Sequence, residues 1–122
     1  MESERTMHIG EVADRTGLSH RTLRHYDEVG LVVPSGRTGG GFRLYTETDL
    51  QRLLLVRRMK PLGYTLEQMR ELLDTVRDLQ EDDDPEARAR VAALEADVAA
   101  RRLQLVRQVE MADEFAALLR GL

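Results

Sequence analysis

A mostly helical fold, a winged helix-turn-helix followed by one long helix built to pair with a second copy, is what this sequence predicts. Three observations carry the prediction. Ile9-Gly10-Glu11-Val12-Ala13 and Ser19 to Asp27 are two short stretches of helical periodicity separated by Gly17 and Leu18. A basic, glycine-rich stretch, Arg37-Thr38-Gly39-Gly40-Gly41-Phe42-Arg43-Leu44-Tyr45, follows with the composition of a hairpin. From Glu86 to about Leu119 the chain then runs without an interior glycine or proline.

Each element follows in order. Residues 1–6 read as a frayed tail. A first helix runs from Ile9 to about Arg15, with Ile9, Val12 and Ala13 on its inner side, and Gly17 ends it. Leu18 is the apolar residue of the turn, and Ser19 is a good N-cap for the second helix, where Thr22, Leu23 and Tyr26 fall at helical spacing until Gly30. Leu31-Val32-Val33-Pro34 and Phe42-Arg43-Leu44-Tyr45 read as two strands joined by flexible turn residues. Thr46 with Asp49 opens a third helix carrying Leu50, Leu53, Leu54, Val56 and Met59, closed by Pro61 and Gly63. Thr65 and Gln68 form a capping-box pair for a fourth, whose inner face is Leu66, Met69, Leu72, Leu73 and Val76. The organisation expected is a tail over 1–6, a winged domain over 7–80, a linker over 81–85 and a pairing helix over 86–119.

That last helix starts at Asp84 as N-cap and Pro85 at the first helical position. With Val91 at heptad position a, the a positions are Val91, Val98, Leu105, Ala112 and Leu119, and the d positions include Leu94 and Phe115. Arg101 and Gln108 interrupt the d positions. In a parallel pair two Arg101 side chains would face each other; an antiparallel pair offsets them and lets each stem cover apolar surface.

Composition sets the limits. Aromatic residues at 4% and charged residues at 33% favour helices over a sheet-rich core. The absence of cysteine removes disulfides and thiolate metal sites, and leaves a small core whose usual remedy is oligomerisation. His8, His20 and His25 share no metal-ligand spacing with carboxylates, so no metal and no cofactor is expected. No nucleophile–base pair is visible, so no enzyme is expected. No apolar run approaches the roughly 20 residues of a membrane span, and Met1-Glu2-Ser3-Glu4-Arg5 is not a signal peptide; the expectation is a cytoplasmic protein with no membrane partner.

A net charge of −4 argues at first sight against a nucleic-acid partner. Residues 15–60, however, hold nine basic and four acidic side chains, a net of +5, against nine basic and eighteen acidic elsewhere. Screening over about 8 Å at physiological salt makes the near face, not the whole-chain sum, what a phosphate meets.

Ser19 to Asp27 is therefore the candidate recognition helix, with Ser19 and His20 at the end that enters a major groove, Arg21 and Arg24 offering forked donors, and Tyr26 a hydroxyl for a phosphate. A plain amphipathic helix with solvated arginines is the alternative. Residues 33–45 are the candidate wing, with Arg37 and Arg43 on either side of the glycine tip; the alternative is an ordinary hairpin with charged edges. Arg57, Arg58 and Lys60 suit either phosphates or the dipole of their own helix.

Taken together, Ile9-Gly10-Glu11-Val12-Ala13, Arg21-Thr22-Leu23-Arg24-His25-Tyr26-Asp27, Gly30-Leu31, Phe42-Arg43-Leu44-Tyr45 and Asp49-Leu50 closely resemble the MerR family of bacterial transcription regulators over roughly residues 7–76. The resemblance implies a homodimer, held by an antiparallel coil, that binds an inverted-repeat promoter and distorts it to realign it for RNA polymerase, as activator or repressor. It implies contact positions at Arg21, Arg24 and Tyr26, at Arg37, Phe42 and Arg43 in the wing, and at Lys60. Phe42 stands where the family often has tyrosine, which removes a hydroxyl, and His25 replaces a common aromatic. Family effectors bind at or beyond the pairing helix; with the sequence ending at Leu122 and free of cysteine, almost no effector domain is expected and any small-molecule effector is unidentified. The competing class is a coiled-coil interaction or DNA-architectural protein without promoter specificity.

Overall fold

The computed structural model describes residues 5–122. Its elements are β1 (Thr6–His8), α1 (Ile9–Thr16), α2 (His20–Glu28), β2 (Gly36–Arg37), β3 (Arg43–Thr46), α3 (Glu47–Met59), a 3-10 turn (Lys60–Leu62), α4 (Leu66–Glu81) and α5 (Pro85–Arg120). The chain divides into two compact units, residues 1–73 and 74–122, with the boundary inside α4.

In the first unit α1 and α2 form the helix-turn-helix. Gly17 closes α1 in the left-handed region at φ 73°, a conformation that costs a side-chain-bearing residue about 1–2 kcal/mol. Buried Thr16 holds the turn from inside: its hydroxyl donates to the Val12 carbonyl at 2.7 Å and accepts from the Leu18 amide at 3.2 Å. Ser19 caps α2 by accepting from the Thr22 amide at 3.0 Å. Val12, Leu23, Tyr26, Leu31, Val32, Tyr45, Leu50, Leu53 and Val56 lie at the centre of the core of this unit, the aliphatic ones each worth about 1.5–3 kcal/mol on burial.

The sheet has strand order β1-β3-β2, all antiparallel, with Met7 opposite Tyr45 and Arg37 opposite Arg43. Two expectations are corrected here. Leu31–Pro34 is not a strand: the Leu31 and Val32 amides both donate to the Tyr26 carbonyl, so the segment finds its hydrogen bonds at the end of α2 while Leu31, Val32 and Pro34 are buried. Thr6 belongs to no tail. It pairs with Thr46, and the alternation exposed–buried–exposed over Thr6–His8 sinks Met7 into the core. Residues 1–4 of the expected tail lie outside the described residues.

Thr46 and Asp49 form the capping box of α3, and Thr65 and Gln68 exchange the same reciprocal bonds at the start of α4. Met69 and Leu73 are the buried residues of the predicted α4 face; Leu72 and Val76 are half-buried, and Leu66, in its first turn, is exposed. In the second unit Asp84 caps α5 by accepting from the Glu86 amide at 3.0 Å, with Pro85 opening the helix. Arg90 ties α5 to the end of α4 through the Thr75 hydroxyl at 3.1 Å and Asp78 at 3.3 Å. At 36 residues α5 is about 54 Å long.

Asp49 is almost fully buried and accepts three bonds, from the Ser35 amide (3.0 Å), the Ser35 hydroxyl (2.9 Å) and the Thr46 amide (2.9 Å). Asp49→Ala leaves those donors without their acceptor and is expected to cost about 2–4 kcal/mol, with Asp49→Asn losing about half as much. Urea denaturation measures this. A loss below about 1 kcal/mol for the alanine variant would mean that water replaces the carboxylate without penalty.

Candidate nucleic-acid interface

The basic side chains of residues 15–60 fall into two groups. One is committed within the protein. Arg15 pairs with Glu47 at 3.1 Å. Arg57 donates to the Thr16 carbonyl at 2.7 Å and so caps the C-terminus of α1, a role foreseen neither as a phosphate contact nor as compensation of its own helix. Arg58 donates to the Leu54 carbonyl of its own helix at 3.2 Å. From α4, Arg70 donates to the Val29 carbonyl at 2.8 Å just past α2. Both helices of the helix-turn-helix thus end on an arginine supplied from a later element.

The other group is uncommitted. The side chains of Arg21, Arg24, Arg52 and Lys60 have no hydrogen-bond or ion-pair partner among the described residues, and Arg21, Arg24 and Lys60 line one open depression of about 520 Å³. Thr22, His25, Tyr26 and Glu28 complete its lining. Arg21 and Arg24 lie one helical turn apart on α2, and Lys60 opens the 3-10 turn after α3. Three flexible cations over an open, polar depression suit a polyanion's phosphates better than a small enclosed ligand.

Other predicted positions are placed differently. Tyr26 is corrected: only 2% exposed, it turns into the core, and its hydroxyl is buried with no partner among the described residues. Burial pushes the Tyr26 pKa up, which keeps the hydroxyl neutral. Ser19 is engaged in capping, its hydroxyl donating to Thr22 at 2.9 Å. His20, the first residue of α2, is exposed. Phe42 is 70% exposed beside the glycine tip, a bare ring in the wing.

The tip is less free than its composition suggests. Thr38 accepts from Gly41 and, through its hydroxyl, from Phe42, while its own amide donates to the Phe42 carbonyl at 2.9 Å. Gly41 takes φ 85°, the left-handed conformation that this tight return requires.

Arg37 and Arg43 are not free. Both donate to one oxygen, Oδ2 of Asp27, at 2.8 and 2.7 Å. Partial burial acts to raise the Asp27 pKa, but the hydrogen bonds from Arg43 and Arg37 outweigh it and the pKa falls below its ordinary value. Asp27 is the residue of this face that sequence reasoning did not single out. It stood inside the helical motif, but nothing in the spacing shows that two wing arginines ten and sixteen residues later converge on it.

A helix-turn-helix whose second helix presents unpaired cations beside a short antiparallel wing defines a winged helix-turn-helix protein. Residues 7–76 match the family described as "MerR HTH family regulatory protein", and residues 50–113 match "MerR, DNA binding". The chain belongs to the MerR family. It is 48% identical over 65 residues to the HTH-type transcriptional regulator ZntR of Escherichia coli (strain K12), covering 53% of this chain and 46% of that protein. It is 40% identical over 72 residues to the heavy metal-dependent transcription regulator 2 of Rhizobium meliloti (strain 1021), covering 59% and 49%. Among solved structures, HiNmlR, described as a MerR family regulator lacking the sensor domain and bound to promoter DNA, superposes with a TM-score of 0.72 at 27% identity, covering 96% of this chain and 92% of that one. The chain spans about half the length of the curated relatives it matches.

The Asp27 pKa shift makes a prediction about acid. A carboxylate whose folded pKa lies below its ordinary 3.8 adds stability above that value and loses it as the pH falls through the lower folded value. With Arg37 half-exposed, solvent screening limits the gain to about 1 kcal/mol. Comparing unfolding free energies at neutral pH and at about pH 2.5 should show a smaller acid loss for Asp27→Asn than for wild type. Equal losses would show that the clamp does not titrate.

Proposed function

We propose that this protein is a sequence-specific DNA-binding transcription regulator that acts as a homodimer on an inverted-repeat promoter and distorts it, altering its use by RNA polymerase. The observation that carries the reading is the convergence of Arg21, Arg24 and Lys60, all uncommitted, on one depression beside the wing-bearing helix-turn-helix. Family membership and a near full-length structural relative bound to promoter DNA support it. Arg21 and Arg24 take base edges or phosphates in the major groove, and Lys60 takes a phosphate.

The dimer is supported by α5. Val91 and Leu94 are half-buried, but the rest of the predicted seam (Val98, Leu105, Ala112, Phe115 and Leu119) is exposed in the single chain. A second copy of the helix is the occupant that fits such a seam. Arg101 donates to Asp97 of its own helix at 2.8 Å, so its charge is largely compensated and opposes parallel pairing less than the seam sequence alone suggests. The antiparallel orientation therefore rests on the family resemblance. Among the described residues no helix is long and apolar enough to cross a membrane.

Two experiments test the reading. Against a duplex selected from a random pool by the wild-type protein, Arg21→Ala and Arg24→Ala should each cost about 1–3 kcal/mol if they read bases. Lys60→Ala should weaken selected and random duplexes alike and reduce the salt slope by about 1. Wild-type affinity in all three variants would sink the interface, and loss of all wild-type binding under excess competitor would favour an architectural or adaptor role. Leu105→Glu should sediment as a monomer and lose tight binding, because one half-site supplies only part of the free energy; a tightly binding monomer would overturn the dimer.

A further inference from the structure

We infer that Asp27 is a positioning residue for DNA recognition, which sets the wing against the recognition helix and so decides where Arg37 and Arg43 meet the duplex. This rests on the regulator reading above. Asp27 sits in the last turn of α2, the helix that carries the uncommitted Arg21 and Arg24. Arg37 and Arg43 face each other across the hairpin as register partners. Like charges directly opposite on one strand pair repel, so the pair needs a counter-charge to stay in place. One carboxylate oxygen supplies it to both.

The donors used are informative. Arg43 bonds through Nε, and Arg37 through a single Nη, so neither guanidinium is exhausted: Arg43 keeps both terminal nitrogens and Arg37 keeps Nε and one Nη for a phosphate. Exposure is graded in the same sense. The Asp27 side chain is 9% exposed, Arg43 25% and Arg37 46%, so the carboxylate lies under its two cations. Two positive charges against one negative leave the cluster positive toward DNA. Among the remaining charged groups, Glu28 adds weakly to the field at Arg43.

Holding the hairpin together is not what Asp27 is for. The hairpin's two ends, Ser35 and Thr46, are already fixed by Asp49, and its tip by Thr38. What those bonds leave open is how the wing leans against α2, and the Asp27 clamp removes that freedom. A negative charge beside a DNA-binding face also opposes nonspecific attraction to phosphate. Its loss should therefore separate two quantities that a purely structural residue would move together.

The test uses the full chain, the selected duplex and a random duplex of equal length. Asp27→Ala is expected to bind the selected duplex about tenfold more weakly, while random-duplex affinity stays level or rises, so that the ratio between them falls. Asp27→Asn, which keeps one acceptor oxygen, should fall between; if the alanine variant does not fold, the asparagine variant decides by the same ratio. On free protein, the Arg43 Nε–H resonance in a nitrogen–proton correlation spectrum should be shifted and slow to exchange in the wild type, and lose both properties in the alanine variant. An unchanged ratio in a folded variant that has lost that resonance would overturn the proposal, as would equal weakening on both duplexes. A wild type with no preference between duplexes, its Arg43 resonance still protected, would instead overturn the regulator reading on which the proposal stands.

Discussion

The buried Asp49 carboxylate is the interaction on which the helix-turn-helix and its wing depend. It sits at the start of α3, yet two of its three bonds reach back fourteen residues to Ser35, where the wing hairpin begins. Its third goes to Thr46, where the hairpin ends and the helix cap forms. One side chain thereby closes the hairpin at its base and starts the helix that supports it. A buried carboxylate is tolerated only when hydrogen bonds replace its water, and here three donors do so. Because Thr46 is also the last residue of β3 and pairs with Thr6, the same point anchors the sheet to the chain's first strand.

With the hairpin base fixed there, the cations acquire different roles according to what each can reach. Counting charges along residues 15–60 gives a net of +5 and treats every arginine as equivalent. In the fold they are not. Arg57 and Arg70 terminate helices, Arg15 crosses to Glu47, and Arg37 and Arg43 share Asp27. The charge that remains uncommitted at the depression comes from Arg21, Arg24 and Lys60. The basic patch is real, but it is smaller and more localised than its composition implies.

What could be read in the sequence was what is local. Gly17, Ser19, Thr46 with Asp49, Thr65 with Gln68, and Asp84-Pro85 are stop and start signals acting over four residues or fewer, and each helix begins or ends where those signals put it. What could not be read was long-range. β1 is three residues long and gains its strand character from Tyr45, thirty-eight positions after Met7. Leu31–Pro34 has a strand's composition, but the Leu31 and Val32 amides are satisfied by Tyr26 and those two side chains are buried side by side, a pattern that periodicity alone does not distinguish from a core strand. Tyr26 shows the same limit at the site. Helical spacing placed it correctly on α2, and only packing shows that its ring faces inward.

The long helix shows the limit of a heptad description from another direction. The a and d positions describe one seam, but exposed apolar side chains also stand beside it: Val109 at e, and Met111 and Leu118 at g. The corresponding flanks nearer the start of the helix carry Glu95, Asp97, Arg102 and Gln104. The apolar face is therefore narrow in the first half and wide in the second, while Leu103 and Val106 lie on the opposite side and stay outside it. This constrains the proposed dimer. An antiparallel pair aligned over its full length would set the wide half against charged flanks. Shifted so that the second halves overlap, it covers Val109, Met111 and Leu118, each worth about 1.5–3 kcal/mol when fully buried. The first half loses little by this shift, since Val91 and Leu94 are already half-buried within the protomer. Keeping a opposite d in such a pair brings Leu105 and Phe115 into register about a centre near residue 110, and the burial of those two side chains becomes the middle of the interface.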